Sequence, residues 1–436
     1  MALVNEREVA ANILTDMQAD GSYGNLLLRR TLNRHNALLP AQKAFITELV
    51  NGVLRNLMYL DYIIDQFSNT KTSKMKPFVL NVLRLSAYQL FFLDKTPDFA
   101  VCNEAVALVK KRGLQGLAGF VNGVIRGILR GKDGFVLPGE NTAEHLSVRY
   151  SCPLWLTARF IRQYGFDAAR DMLAVNVMPP DVTLCVNTVR VSAGELAETL
   201  VKEGVTVKPA RFMEGKALHV SGTSDMAALP SFQQGLYHVM DESAMLAVAL
   251  AGPKPGMRIL DLCAAPGGKS FAAAVWAEDK AEISARDIYK HKLELINNGA
   301  KRLGVQSVSA ALSDAEKFDE SDAGAFDLVL ADAPCSGFGL LRKKPDIRLA
   351  RREEDIAQLA ALQRRILRNA ARYVKPGGTL VYSTCTLTHE ENGDNADWIA
   401  RELDLHEVER RMILPHEFGT DGFFIARFTK ARNRDV

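Results

Sequence analysis

The sequence predicts an α/β protein in three parts: an all-α domain over residues 1–135, a small α+β module over 143–230, and a Rossmann-like domain over 231–436. Three observations carry this. The last 200 or so residues alternate short apolar runs with helical patterns, which calls for a mainly parallel sheet with helices on both faces. The first 130 residues show helical periodicity only. Within the last part, Arg258–Ser270 (RILDLCAAPGGKS) runs from an apolar strand through a proline and two glycines into a helix. That geometry offers bare backbone N–H groups and a positive helix end to a ligand.

Composition sets the bounds. The 436 residues are 47% apolar and 24% charged, ordinary for a globular protein with a large core. No run of about 18 apolar residues occurs, so no membrane span is expected. The N-terminus, MALVNEREVAANIL, reads as a helix start and not as a signal peptide. The six cysteines are scattered without C-x-x-C spacing, which argues against a disulfide framework or a metal site and for a cytoplasmic protein. Residues 1–140 hold 17 Lys and Arg against 12 Asp and Glu, a net +5; the remainder hold 37 against 39, a net −2. This asymmetry suits an N-terminal module that faces a polyanion.

In chain order, Lys43–Phe67 places Ile46, Leu49, Val50, Val53, Leu54 and Leu57 on one helical face. Pro77–Leu93, Asp98–Lys110 and Ala118–Arg130 continue a helical bundle. Arg29, Arg30 and Arg34, and Lys110–Arg112, are its candidate RNA contacts. Residues 131–142 (GKDGFVLPGENT) read as a linker, and Glu144–Asn176 as helix interrupted by Cys152-Pro153. From Pro179 the period changes: Thr183–Asn187, Val205–Lys208 and Leu218–Val220 read as strands and Ala193–Glu203 as a helix. The final part offers strands at Tyr237–Met240, Arg258–Cys263, Glu282–Asp287, Ser307–Ala311, Phe326–Ala331 and Thr379–Ser383.

Ligands of such sheets bind at the carboxyl ends of the strands. There the sequence places the glycine turn, Asp287, Asp314, Asp332 with Cys335, and Thr384 with Cys385. Asp287 lies twenty residues past Gly267, the offset at which doubly wound folds hold an acid for ribose hydroxyls. The turn is not G-x-G-x-x-G, and the Lys269-Ser270 pair does not close a G-x-x-x-x-G, so a compact adenosyl ligand fits better than a pyrophosphate. Cys102, Cys152, Cys185 and Cys263 read as small apolar packing residues. Cys335 and Cys385, at strand ends beside acids and hydroxyls, read as chemistry. The basic run Arg342-Lys343-Lys344 with Arg348, Arg351 and Arg352 reads as a phosphate contact beside them.

DLCAAPGGKS, ADAPCSG and STCT, in that order, resemble the RNA cytosine-5 methyltransferases that use S-adenosylmethionine. Fragments such as VNGVLRN and FVNGVIRGILR resemble the NusB-type RNA-binding domain. The pairing is similar to the bacterial small-subunit ribosomal RNA cytosine-5 methyltransferase B family, of the Sun or Fmu type. The resemblance implies that Cys263, Ala264, Ala265, Pro266, Gly267, Gly268 and Lys269 wrap the cofactor, that Asp287 binds its ribose, and that Asp314 lies near adenine. It implies that Asp332 lies where cofactor and base meet, that Cys385 is the nucleophile and that Cys335 helps resolve the adduct. His389-Glu390-Glu391-Asn392 matches the family's acidic stretch after the nucleophile. One departure is Arg286, where an apolar residue is expected before the acid. The implied partner is 16S ribosomal RNA, with an unstacked cytosine, and the implied protein is a monomer without a metal.

The chemistry suits these residue types. Carbon 5 of cytosine becomes nucleophilic once a thiolate adds to carbon 6, and cysteine is the side chain that can do so near neutral pH. A hydrogen bond or proton at ring nitrogen 3 then stabilises the charge, for which Asp332 is suited when protonated. A base must later remove the carbon 5 proton, a task for Cys335 or a water it orders. A transfer RNA substrate, a non-catalytic RNA-binding factor and a small-molecule or protein methyltransferase are the alternatives; the paired cysteines argue against the last two.

Overall fold

The computed structural model describes residues 5–20, 25–34, 38–94, 96–222 and 225–432. They form two compact units, Met1–Pro179 with Leu341–Arg351, and Pro180–Leu340 with Arg352–Val436. Among the described residues, no helix is long and apolar enough to cross a membrane.

The first unit is helical. Its central helix, Pro77–Phe92, is buried continuously from Phe78 to Gln89, as expected of a helix wrapped on all sides. Arg84 on this helix is tolerated inside because Asp61 takes it in a two-pronged ion pair, at 2.6 and 2.7 Å. The sequence reads Lys43–Phe67 as one helical face, but the structure breaks it into Pro40–Arg55 and Leu57–Phe67 at Asn56. The buried Asn56 amide donates to the Gly52 carbonyl at 2.9 Å, so it competes with the backbone ladder. After the linker come Ala143–Arg149, Leu154–Tyr164 and Phe166–Asn176, the last two divided at Gly165, where φ is +83°.

Leu341–Arg351 belongs to this helical unit, and two of the arginines read as phosphate contacts, Arg342 and Arg348, are engaged within it. Arg348 is 1% exposed. Its Nη2 donates to the carbonyls of Leu54 at 2.9 Å and Arg55 at 2.5 Å, the last turn of Pro40–Arg55. The guanidinium is thus a helix C-cap and not a phosphate ligand. Burial lowers it to about 10, which still leaves it charged at neutral pH. Arg342 likewise donates to the Pro179 carbonyl at 2.6 Å. Of the other basic candidates, Arg30, Arg34 and Lys110–Arg112 are exposed, with Lys111 paired to Glu8 at 2.6 Å. The Arg29 side chain lies outside the described residues.

The second unit holds two sheets. β1 (Val182–Val186), β2 (Thr206–Pro209), β3 (Ala217–Ser221) and β4 (Tyr237–Val239) form an antiparallel sheet in the order β2-β3-β1-β4. β4 therefore belongs to the small module; the sequence reading, which groups it with the large sheet, is corrected by its pairing of Leu184 with Val239.

The large sheet is Rossmann-like: β5 (Arg258–Asp261), β6 (Glu282–Asp287), β7 (Val308–Leu312), β8 (Phe326–Asp332), β9 (Val374–Thr384), β10 (His406–Ile413) and β11 (Phe423–Thr429), in the order β10-β11-β9-β8-β5-β6-β7. The five strands from β9 to β7 in that order are parallel. The last two, which the sequence reading does not assign, add antiparallel. β10 is an edge strand of mostly polar and charged residues (HEVERRMI), a weaker signal than a buried run. Arg286, the polar residue before Asp287, is accommodated by ion pairing to Asp322 and by lying over the Phe326 and Tyr373 rings at 5.8 Å.

Candidate active site

The carboxyl ends of β5 to β9 converge on one edge. β5 ends at Asp261, and the chain turns through 262–267 into the helix Gly268–Trp276. Gly267 holds φ +108°, and a Cβ there would meet the Phe271 ring at 2.4 Å, so only glycine closes this turn. The turn is pinned to β6 on one side: the Ala264 amide donates to the Arg286 carbonyl at 2.8 Å, and the Ala265 amide to Asp287 at 3.3 Å. It is pinned to β4 on the other: His238 Nε2 donates to the Gly268 carbonyl at 3.2 Å. Burial lowers His238 to about 4, so it is neutral here.

Asp287 is 6% exposed and also accepts from the Tyr289 amide at 3.0 Å. Asp314 follows β7; the amide of its neighbour Ser313 donates to the Asp287 carbonyl at 3.1 Å. Asp261, 1% exposed, accepts from Ser270 Oγ at 2.7 Å, and burial raises its carboxyl to about 6 against that bond. Asp261, Asp287, Asp314 and Asp332 thus stand at the ends of β5, β6, β7 and β8. Such an acid-rich rim around a glycine turn suits a cationic ligand rich in hydroxyl donors and would repel a pyrophosphate. These are the properties of an adenosyl sulfonium cofactor, so the residues present fit that group.

The other half of the edge is built by β8 and β9. Their register sets Asp332 opposite Ser383, whose Oγ donates to Asp332 Oδ1 at 2.9 Å. Lys269 leaves the glycine turn and donates to Asp332 Oδ2 at 2.6 Å. Burial alone would depress this ammonium, but the Asp332 carboxylate and its hydrogen bond outweigh burial and hold Lys269 above its ordinary value. Asp332 thus accepts from both neighbours, one on each oxygen.

Beyond Asp332 and Thr384 the two chains bring Cys335 and Cys385 together, Sγ to Sγ at 3.2 Å, both as free thiols. Gly339 allows this closeness: its amide donates to the Cys385 carbonyl at 2.9 Å, and a Cβ would stand 1.9 Å from the Gly422 carbonyl oxygen. The hydrogen bond from Cys385, then burial, then the charges on Cys385, Glu391 and Asp332 push the Cys335 thiol well above its ordinary value. Burial also raises Cys102, Cys152, Cys185 and Cys263, which keeps them as unreactive thiols.

Several residues at this edge escape the sequence reading: Asp261, Ser336, Gln363 and Ser383, and the buried roles of Glu391 and Asn392. Gln363 carried a usable signal. It falls on the buried face of the helix Glu354–Tyr373, in step with Ile356, Ala360, Ile366 and Ala370, where a polar side chain needs partners. Among the described residues, no group of three or more His, Cys, Asp or Glu side chains is arranged to hold a metal.

Comparison with known proteins follows the same division of the chain. Residues 247–429 match the 16S rRNA methyltransferase RsmB/F family, residues 4–130 the NusB family, and residues 152–226 the ferredoxin-like domain of RsmF/B-like methyltransferases. The probable ribosomal RNA small subunit methyltransferase B of Bacillus subtilis is 38% identical, covering 99% of this chain and all of its own. The ribosomal RNA small subunit methyltransferase B of Klebsiella pneumoniae is 34% identical over 91% of this chain and 94% of its own. The crystal structure of PH0851 superposes with a TM-score of 0.82 at 25% identity, covering 98% of this chain and 99% of that one. With a Rossmann-like sheet, a NusB-type helical domain and relatives matched from end to end, the chain belongs to the ribosomal RNA small subunit methyltransferase B family.

Proposed function

We propose that this protein methylates carbon 5 of a cytosine in 16S ribosomal RNA through a covalent bond from Cys385, as a cytoplasmic monomer. The observation that carries the reading is the pair of free thiols 3.2 Å apart beside the Lys269–Asp332 ion pair. The names of the relatives, ribosomal RNA small subunit methyltransferases, support the substrate. Cys263–Lys269, Asp287 and Asp314 would hold S-adenosylmethionine, which supplies an electrophilic methyl group when bound.

The protein's own residues do the remaining work. Cys385, ionised while Cys335 keeps its proton, adds to carbon 6 of the base. Asp332 delivers a proton to ring nitrogen 3 as charge develops there, and the Lys269 ammonium, 2.6 Å from its Oδ2, replaces that proton. This adds the ammonium to the expectation that a protonated Asp332 donates. That proton returns to the pair once carbon 5 carries its methyl group. Cys335, once its thiol proton has passed to solvent, then takes the carbon 5 proton, and the electron pair left behind forms the 5,6 double bond and expels the Cys385 thiolate. Attack on carbon 6 needs an unstacked base, which favours single-stranded or extruded RNA.

The test is to incubate the protein with labelled S-adenosylmethionine and total bacterial RNA, then map methylcytosine by sequencing. The account expects 5-methylcytosine in 16S RNA. Label confined to transfer RNA would overturn the substrate, and label on another atom would overturn the chemistry.

A further inference from the structure

Behind the two thiols lies a buried polar network that the mechanism above does not use. Glu391 is fully buried, yet its hydrogen-bond donors are neutral. Its Oε1 accepts from the Ser336 amide at 2.8 Å and from Gln363 Nε2 at 3.0 Å; its Oε2 accepts from Ser336 Oγ at 2.5 Å and Thr388 Oγ1 at 2.6 Å. Two N–H groups and two hydroxyls thus converge on this one carboxyl group.

The network holds the neighbours of both cysteines. Around Cys335, Gln363 Nε2 donates to the Pro334 carbonyl at 2.9 Å, and Ser336 is tied to Glu391 as above. Around Cys385, Thr384 Oγ1 donates to Asn392 Oδ1 at 2.5 Å, Asn392 Nδ2 donates to the Thr386 carbonyl at 2.9 Å, and Thr386 Oγ1 meets Ser336 Oγ at 2.6 Å. Asn395 Nδ2 donates to the Gln363 side-chain carbonyl at 2.8 Å, and the Tyr382 hydroxyl, 3.1 Å from that oxygen, donates to the Glu391 backbone carbonyl. The two loops, fifty residues apart in sequence, are joined through side chains that reach water nowhere.

The charges around the thiols are unequal. Cys335 feels Glu391 and Asp332, both negative, while Cys385 and the Lys269 ammonium act on each other. The buried Tyr382 hydroxyl also lies in this field. A proton shared between two sulfurs goes to the one in the more negative surroundings.

We propose that Glu391 is a positioning residue for the thiol pair: through Ser336 it fixes Cys335 against Cys385, and its buried charge keeps the shared proton on Cys335. Cys385 is then the sulfur left free to attack. The proposal rests on the assignment of Cys385 as nucleophile, and its consequence can be read without RNA or turnover.

In the full-length protein, iodoacetamide labelling followed by peptide mass spectrometry measures alkylation of each sulfur as pH is raised. The wild type should label Cys385 at least about tenfold faster than Cys335 near neutral pH. Glu391→Gln should cut that preference about tenfold and start Cys335 labelling at lower pH, with cofactor affinity unchanged. Glu391→Asp keeps the charge and should keep the preference. A purely structural residue would slow or speed both sulfurs together. An unchanged preference in Glu391→Gln, or its loss in Glu391→Asp with cofactor affinity intact, overturns the proposal. If Glu391→Gln no longer binds cofactor, Ser336→Ala carries the test. It removes one of the links and should reduce the preference about threefold; a wild-type ratio there overturns the proposal too. Labelling that behaves as expected in a protein that makes no 5-methylcytosine would instead count against the cytosine reading alone.

Discussion

The two halves of the sheet edge are built on different principles. At the ends of β5, β6 and β7, the site is made by contiguous chain: a glycine turn, a helix start, and acids that bond to backbone amides nearby, as Asp287 does with Ala265 and Tyr289. At the ends of β8 and β9, it is made by side chains far apart in sequence, such as Ser336, Gln363 and Glu391, with no water-facing group among them. The first arrangement tolerates a mobile, changing occupant because each acid is held independently. The second fixes two sulfurs at hydrogen-bond distance, 3.2 Å, and should fail as a unit when any member is lost.

The largest expected effect is in the second half. Cys385→Ala should lose turnover by roughly 10⁴-fold or more while binding cofactor as the wild type does, because the nucleophile is gone and the glycine turn is untouched. Calorimetry and a methylation assay on the same preparation check both parts; a loss of cofactor affinity would mean that the two halves are not separable.

In the first half, Asp287→Ala should weaken S-adenosylmethionine binding roughly 10- to 100-fold, the loss of charge-assisted bonds worth about 1.5–3 kcal/mol. The Cys385-to-Cys335 labelling ratio should not change. Unchanged affinity in the folded variant would remove Asp287 from the cofactor site.

A third effect concerns acid. His238 braces the glycine turn as a neutral ring, with its value lowered by burial to about 4. The unfolded chain takes up this proton near pH 6.5, and the folded protein only near 4. The contribution is therefore fully present above about 6.5, lost as the pH falls towards 4, and totals on the order of 3 kcal/mol. His238→Gln, which keeps a donor and does not titrate, should lose less stability between these two pH values in thermal melts. Equal losses would contradict the role given to His238.

The same contrast explains what was legible in the sequence. The alternation of strands and helices, the glycine turn, and the grouping of Asp287, Asp314, Asp332, Cys335 and Cys385 at one edge follow from local pattern and from the rule that ligands meet carboxyl ends. β4 was misplaced because a three-residue strand carries too little pattern to choose its sheet. Arg348 was misread because its partners are the carbonyls of Leu54 and Arg55, nearly 300 residues earlier, and no local signal distinguishes a buried arginine cap from a surface one. Gln363 and Glu391 act only through contacts that exist once β8 and β9 lie side by side.

The central claim, that Cys385 attacks and Cys335 releases, is tested most directly by trapping the adduct. Each single alanine variant is mixed with cofactor and substrate RNA and run on a denaturing gel. Cys335→Ala should transfer the methyl group and stall as a slow-moving, cofactor-dependent protein–RNA band, and Cys385→Ala should give none. A band from Cys385→Ala and none from Cys335→Ala would exchange the two roles. Full methylation by both variants with no band from either would contradict the covalent mechanism altogether.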